Sequence, residues 1–279
     1  MRLIPYQDVR AFYERVRPLL LAREVENNLP IGILERGLSA EETDWFMAAL
    51  TDGAGRDALV ALRTPPHNLI LASSGEEASA MAVEELVRAL SNDAPLPGVI
   101  GEKELALLFA RRYAAAGVAM EVQMEERVYR LDAVSDVPRV GTLRPAEERD
   151  LFFLPYWQSA FEGDCYGTPG PLDTEGQRAA IARGDLFLLE AEGRPVSLVG
   201  TTRQMPHGRS VGPVYTPPYF RGRGYASSAV AQLSEEILRR GNDYCALFAD
   251  LANPTSNSIY QKIGYRPLCD YAMIAFRAK

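Results

Sequence analysis

Residues 212–230, GPVYTPPYFRGRGYASSAV, connect the end of an apolar strand to the start of a helix. Pro217 and Pro218 have no backbone N–H to donate, so the regular pairing of the strand is predicted to stop there. The apolar residues beyond the turn recur at helical spacing, which predicts a helix over 225–240. The glycine–arginine turn between these two elements, residues 221–226, therefore decides how the second half of the chain is interpreted.

Several interpretations of this turn compete. A Walker A loop is excluded because no Gly-Lys-Ser/Thr follows, and a Rossmann turn is disfavoured because two prolines separate it from the strand. A plain strand-to-helix connection, with glycines chosen for positive φ, remains open. An anion-binding site would explain more of the residues in the turn. The N–H groups from Gly222 to Ala226 lie at the start of a helix, and Arg221 and Arg223 add positive charge. Pyrophosphate is the natural ligand of such a turn.

Composition limits the classes of function. The 279 residues carry a formal net charge of −7 and a sequence pI of about 5.1, which disfavours a general nucleic-acid binder. The three cysteines show no CxxC or CxxH spacing, so neither a metal site nor a disulfide framework is predicted. No apolar run is long enough to span a membrane and no signal-peptide core begins the chain. We therefore predict a cytoplasmic protein without a membrane partner.

Alternating apolar segments predict an α/β fold, with an α+β mixed sheet flanked by helices. Two short helices are predicted up to about Leu34, with a break near Arg17 where Pro18 would start the second. Strands and helices then alternate, and each half ends in the order strand, helix, strand, helix, strand, a weak signal of internal duplication. Turn-forming residues at 132–139 predict the domain boundary, giving domains 1–135 and 139–279.

Two motifs resemble those of the GCN5-related N-acetyltransferases. Arg221-Gly-Arg-Gly224-Tyr-Ala226 is similar to the family's acetyl-CoA motif, Arg/Gln-x-x-Gly-x-Gly/Ala. The downstream NPTSNSIYQKIGY, residues 253–265, resembles the family's Asn-containing helix that ends in Tyr-x-x-x-Gly-Phe/Tyr. The resemblance covers roughly residues 139–279. It implies two acyl-CoA N-acyltransferase-like domains in tandem and an acetyl-CoA-dependent N-acetyltransferase that transfers the acetyl group directly to an amine.

The resemblance also implies a site. Tyr260 would protonate the departing CoA thiolate, and a backbone N–H of residues 214–216 would polarise the acetyl carbonyl. By residue type alone, Tyr260 could equally be a core aromatic, and Asn253 an N-cap before Pro254. Acetyl-CoA is the implied cosubstrate, and no metal is expected. The residues implied to contact it are Val214, Tyr215, Thr216, Arg221, Gly222, Arg223, Gly224, Tyr225, Ala226, Ser227 and Asn253.

The first half is predicted to be degenerate. Its matching turn, SSGEEAS, has one glycine and no arginine, and Glu76 and Glu77 in its first helical turn would repel a pyrophosphate. No acceptor is identified, beyond a small-molecule or peptide amine. The predicted loop 161–172 would border it, with Glu162 and Asp164, or Glu190 and Glu192, as candidates to bind an ammonium group or simply as solvated carboxylates.

Two other functions remain open at this point. A non-catalytic acyl-CoA sensor or partner-binding protein would keep the turn without turnover, and a nucleic-acid module is disfavoured by the acidic balance. Cys165 suggests a ping-pong route, but no histidine lies near it in sequence, so direct transfer is preferred. A monomer or a homodimer is expected.

Overall fold

The computed structural model describes residues 1–39, 44–73, 80–90, 96–114 and 117–278. Two compact units are present: Met1–Val128 together with Leu268–Lys279, and Tyr129–Pro267. The strands and helices of the first unit are β1 (Arg2–Tyr6), α1 (Val9–Leu21), α2 (Asn28–Gly37), β2 (Phe46–Thr51), β3 (Asp57–Arg63), β4 (Leu69–Ala72), α3 (Ala80–Leu90), β5 (Gly98–Glu102), α4 (Lys103–Ala114) and β6 (Val118–Leu131).

Helix α1 passes through the position where a break was predicted. Asp8 caps its start by accepting a hydrogen bond from the N–H of Ala11 at 2.6 Å. Pro18 lies inside the helix, which continues to Leu21, so the predicted break near Arg17 is wrong. The apolar face of the helix, including Phe12, Val16 and Leu20, is fully buried, and this burial offsets the hydrogen bond that the proline cannot make.

Strands β1 to β5 of the first unit pair antiparallel except for β4 and β5. Strands β1 to β4 pair in sequence, and β4 then pairs in parallel with β5. The next strand in the order is β12 (Arg266–Ala278), the last strand of the chain, which is antiparallel to β5 and places Met273 opposite Ile100. Helices α3 and α4 pack on this sheet around Leu86 and Phe109, both fully buried.

The second unit repeats the order of strands and helices found in the first. Its elements are β7 (Thr142–Pro145), α5 (Leu154–Tyr166), α6 (Thr174–Ala182), β8 (Leu186–Ala191), β9 (Arg194–Gln204), β10 (Gly208–Tyr215), α7 (Tyr225–Arg239), β11 (Tyr244–Asp250) and α8 (Pro254–Ile263). Strands β7 to β10 pair in sequence and antiparallel, and β10 then pairs in parallel with β11. The tandem mixed-sheet architecture predicted from the sequence is confirmed.

Helix α5 is longer than predicted. A loop was predicted over 161–172, but the helix continues to Tyr166 and ends at Gly167, whose φ of 75° terminates it. Asp164 and Cys165 are therefore helical residues with fixed directions. A short 3₁₀ helix, Glu148–Phe152, precedes α5, and Arg144 of β7 holds it through two hydrogen bonds to Asp150.

The division between the units differs from the predicted boundary. Strand β6 continues to Leu131, so that its last residues, Tyr129–Leu131, belong to the second unit and precede β11 in the strand order. The last strand was assigned to the second domain, but the structure pairs its residues 271–275 with β5 of the first unit. The alternation of a strand predicts which face is buried, but it carries no information about which strand will be its neighbour.

Candidate functional site

Strands β10 and β11 of the second unit are paired over only part of their length. Their parallel register joins Gly208–Ser210 to Tyr244–Ala246, whereas β10 runs on to Tyr215 and β11 to Asp250. On its other side β10 remains paired, with Tyr215 opposite Leu198 of β9. The end of β10 therefore has one edge that is not occupied by β11, where backbone groups can meet an extended ligand.

The predicted cofactor strand, Val214–Thr216, lies at this end of β10. The register shifts twice before it, between Arg209 and Val211 and between Val211 and Val214. The Ser197 hydroxyl contacts the Tyr215 carbonyl oxygen at 3.1 Å and the Thr216 hydroxyl at 2.8 Å, and all three residues are buried. These contacts hold the end of the strand in one conformation at the point where the predicted turn begins.

The glycine–arginine turn is open and rich in unused donors. Gly222 and Gly224 have φ of 77° and 78°, and α7 begins at Tyr225 without a side-chain cap. The six consecutive backbone N–H groups of residues 222–227 make no hydrogen bond with any other described residue. A Cβ on Gly222 would meet nothing within 4 Å. Left-handed glycines, a helix N-terminus and unpaired donors together form a concavity of the kind that can accept an anion.

The two arginines of the turn differ in their contacts. Arg221 donates from Nε to the Thr216 carbonyl oxygen at 2.8 Å and from Nη2 to Asp164 Oδ2 at 2.5 Å. Arg223 is exposed and has neither a hydrogen bond nor an ion pair with the residues that the structure describes. Arg223 also lines a cleft of about 570 Å³ together with Tyr225, residues 140–142 and residues 190–193. The turn thus carries one free cation and one that is already paired.

Tyr260 lies on α8, among other aromatic residues. Its side chain is 8% exposed, and its ring centroid is 6.3 Å from that of Tyr129 and 6.0 Å from that of Tyr265. Its hydroxyl has no hydrogen-bond partner among the described residues. Burial raises its pKa, and charge on Cys165 of α5 raises it further, so the phenol is protonated at neutral pH.

Asn253 acts as a helix cap in the structure. Its Oδ1 accepts a hydrogen bond from the N–H of Ser256 at 3.0 Å, and Pro254 occupies the first helical position. The sequence interpretation missed Asn257, whose Nδ2 donates to the carbonyl oxygens of Asp250 at 2.7 Å and Asn253 at 2.8 Å. A second asparagine four residues after the cap was the available signal. Its partner Tyr129 had no comparable signal, because it lies 128 residues away.

Most of the candidate acceptor carboxylates have other partners. Glu162 accepts a hydrogen bond from Gln158 at 3.0 Å, Glu190 pairs with Arg144 at 2.8 Å, and Glu192 pairs with Arg194 at 3.1 Å. Asp164 is the candidate that contacts the turn itself.

The matching region of the first unit is organised differently. Glu76 and Glu77, on which its predicted degeneracy depends, lie outside the described residues. Beside the ends of β4 and β5, Asn27 Nδ2 donates to the carbonyl oxygens of Leu20 at 3.1 Å and Ser73 at 3.5 Å. Arg23 pairs with Glu102 at 2.7 Å. Side chains of the unit itself thus contact the ends of these two strands.

Within the described ranges, no helix is long and apolar enough to cross a membrane. The same residues contain no group of three or more His, Cys, Asp or Glu side chains placed to hold a metal ion.

Comparisons with known proteins identify a matching family model and similar folds. Residues 191–273 match the family model described as FR47-like protein. No curated protein matches the chain. Among solved structures, a GNAT-family acetyltransferase from Colwellia psychrerythraea is 12% identical with a TM-score of 0.62, and 100% of each chain is covered. A GCN5-related N-acetyltransferase from Sphaerobacter thermophilus is 15% identical with a TM-score of 0.59, covering 98% of this chain and 94% of that one.

A tandem GNAT protein from the clavulanic acid biosynthesis pathway is also similar. It is 13% identical with a TM-score of 0.56, and the match covers 99% of this chain and 98% of that one. The resemblance to the GCN5-related N-acetyltransferases predicted from the two motifs is therefore confirmed, together with the tandem fold.

Proposed function

We propose that this chain, which has the fold of the GCN5-related N-acetyltransferases, is an acetyl-CoA-dependent N-acetyltransferase whose second unit carries the active site. Acetyl-CoA would be a cosubstrate, and the acceptor would be a small-molecule or peptide amine. The observation that carries the proposal is the row of six unpaired N–H groups at residues 222–227, at the start of a helix and beside the free cation Arg223. A pyrophosphate satisfies these donors and brings the charge that the helix dipole favours.

The rest of the cofactor would extend along β10. Beyond Ser210 the strand is no longer paired with β11, so the amide groups of a pantetheine arm can bond to Val214, Tyr215 and Thr216. A backbone N–H in this segment would donate to the acetyl oxygen as negative charge develops on it in the tetrahedral intermediate. Ser227 and Asn253 would lie at the edge of the cofactor site.

Tyr260 would protonate the CoA sulfur as the intermediate collapses. Its hydroxyl has no hydrogen-bond partner among the described residues, and its raised pKa keeps the proton available at neutral pH. The neutral amine nitrogen forms a bond to the acetyl carbon, the carbon–sulfur bond breaks, and the sulfur takes the phenolic proton. The nitrogen releases one proton to solvent, and the Tyr260 phenolate takes one from solvent, so the enzyme is restored. Direct transfer needs no covalent enzyme intermediate.

The first unit is proposed to bind no cofactor. Two side chains of this unit, Asn27 and Arg23, make contacts at the ends of β4 and β5, which are the counterparts of β10 and β11. We keep the cytoplasm as the predicted location and a monomer or homodimer as the predicted state.

The test is calorimetric titration of the purified full chain with acetyl-CoA, followed by mass spectrometry of a panel of primary amines incubated with both. One equivalent bound and an acetylated amine are expected. Two equivalents would refute the degenerate first unit. Binding without acetylation of any amine would favour the non-catalytic sensor, and no binding would refute the cofactor site.

A further inference from the structure

A salt bridge connects α5 to the glycine–arginine turn. Asp164 Oδ2 lies 2.5 Å from Arg221 Nη2, and the two side chains are 52% and 47% exposed. An ion pair this exposed contributes little to stability, because water and salt screen the attraction and two flexible side chains must be ordered. The pair can therefore be exchanged for another partner at small cost.

Asp164 is close to the parts of the site where the reaction would take place. Burial raises the pKa of Tyr215, at the end of β10, and the charge of Asp164 is the next largest cause of that rise. The neighbouring residue, Cys165, similarly influences Tyr260. Arg221, which pairs with Asp164, also donates to the Thr216 carbonyl oxygen just after the end of β10 at 2.8 Å, so Asp164 lies beside both the turn and this strand end. Glu162 on the same helix instead accepts a hydrogen bond from Gln158.

An anion in the turn would compete for the Arg221 guanidinium. Arg221 directly precedes the six unpaired N–H groups, and its contact with Asp164 uses one carboxylate oxygen. Phosphate oxygens offer a guanidinium paired, charge-assisted hydrogen bonds, which are stronger than one contact with an exposed carboxylate. Once Arg221 turns to the anion, the negative charge of Asp164 is left without a partner at the edge of the site.

We propose that Asp164 binds the ammonium group of the acceptor, and that Arg221 covers it until the pyrophosphate of acyl-CoA draws Arg221 away. The proposal rests on the proposed function and adds the class of acceptor, a primary amine that is cationic at neutral pH. It also sets the order of binding, with acyl-CoA before the amine, because Arg221 blocks and repels a cation while it remains on Asp164.

The first experiment measures calorimetric binding of CoA to the full chain and to its Asp164→Asn variant. Removing the competing carboxylate frees Arg221, so the variant should bind CoA equally well or up to about fivefold more tightly. The matched control is Glu175→Gln, which removes another exposed carboxylate paired with an arginine, Arg178, and should leave affinity unchanged. Weaker CoA binding by Asp164→Asn would overturn the proposal, because Asp164 would then be holding Arg221 in its binding position.

The second experiment measures initial rates with acetyl-CoA and n-butylamine, putrescine, spermidine, tyramine or alanine amide. For each amine acetylated, Asp164→Asn should raise the KM for the amine at least tenfold, while kcat at saturating amine and the KM for acetyl-CoA stay within threefold. Wild-type rates should show ordered binding, with acetyl-CoA first. An unchanged KM for the amine, or no acetylation of any of the five by a protein that binds CoA, would overturn the proposal. If the wild-type protein does not bind CoA, the proposed function fails together with the role of Asp164. If it binds CoA but the other results fail, only the role of Asp164 is overturned.

Discussion

The hydroxyl of Tyr129 donates a hydrogen bond to Asn257 Oδ1 at 2.7 Å and thereby joins the end of β6 to the first turns of α8. Asn257 in turn binds the carbonyl oxygens of Asp250 and Asn253, which fixes the connection between β11 and α8. Tyr260 lies on the next turn of that helix. A residue outside both motifs therefore positions the proposed acid.

Replacement of Tyr129 by phenylalanine should lower both stability and turnover. The fully buried hydroxyl would leave Asn257 short of one partner, at a cost of about 1–2 kcal/mol in the free energy of unfolding. We expect kcat to fall several-fold because α8 is held less firmly. Tyr271→Phe is the control, since it removes a hydrogen bond of the same 2.7 Å length, to the Glu26 carbonyl oxygen in the first unit. Equal kcat values for the two variants in steady-state assays, at similar stabilities in urea, would argue against the positioning role.

Replacement of Tyr260 by phenylalanine should separate catalysis from stability. Because the hydroxyl has no partner among the described residues, its loss should change the free energy of unfolding by less than about 0.5 kcal/mol. Because the variant lacks the proposed general acid, its kcat should fall about 100-fold, while its affinity for acetyl-CoA is retained. Tyr265→Phe should behave in the opposite way, since that hydroxyl contacts Ser234 Oγ at 2.8 Å in the core. Unchanged turnover in Tyr260→Phe would remove the acid role.

Glutamate at Gly224 should abolish acetyl-CoA binding. The side chain would place a carboxylate among the donors of the turn, where it would repel a pyrophosphate. The left-handed φ of 78° also makes any side chain there cost about 1 kcal/mol of stability. Gly241→Glu is the matched control, because Gly241 has φ 94°, open space around it and a position at the far end of α7. Calorimetry should find binding in Gly241→Glu alone; equal affinities in both variants would place the cofactor elsewhere.

The ion pair between Arg144 and the buried Asp150 should make the free energy of unfolding depend on pH. Burial would raise the pKa of Asp150, but the hydrogen bonds from Arg144 outweigh it and hold the pKa below its usual value near 3.8. A carboxyl whose pKa is lower in the folded state stabilises the protein above its ordinary pKa, and this contribution is lost as the pH falls through the folded value. Asp150→Asn should therefore cost about 2 kcal/mol at pH 7 and less at pH 3.

Urea unfolding across that pH range measures the difference. Asp136→Asn serves as the control, because Asp136 is exposed and has no ion pair within the described part of the chain. A cost for Asp150→Asn that is the same at both pH values would mean that the carboxyl is not ionised in the pair.

The sequence by itself determined the local features of this protein. Two glycines with an arginine beside each, followed by a helical pattern, were sufficient to predict the open turn, because backbone conformation there depends on neighbours within a few residues. Asn253 before Pro254 likewise predicted the start of α8. Repetition of strand and helix patterns in both halves indicated the tandem fold, since each half buries its apolar faces in the same way.

The tertiary structure alone decided which distant residues meet. Asp164 reaches Arg221 across 57 positions, and Tyr129 reaches Asn257 across 128. The last strand pairs with β5 of the first unit although it follows the second. Strand neighbours and long-range side-chain pairs depend on how the whole chain packs, and no local pattern records that arrangement. Local physics therefore determined the conformation of the glycine–arginine turn, and packing decided which residues surround it.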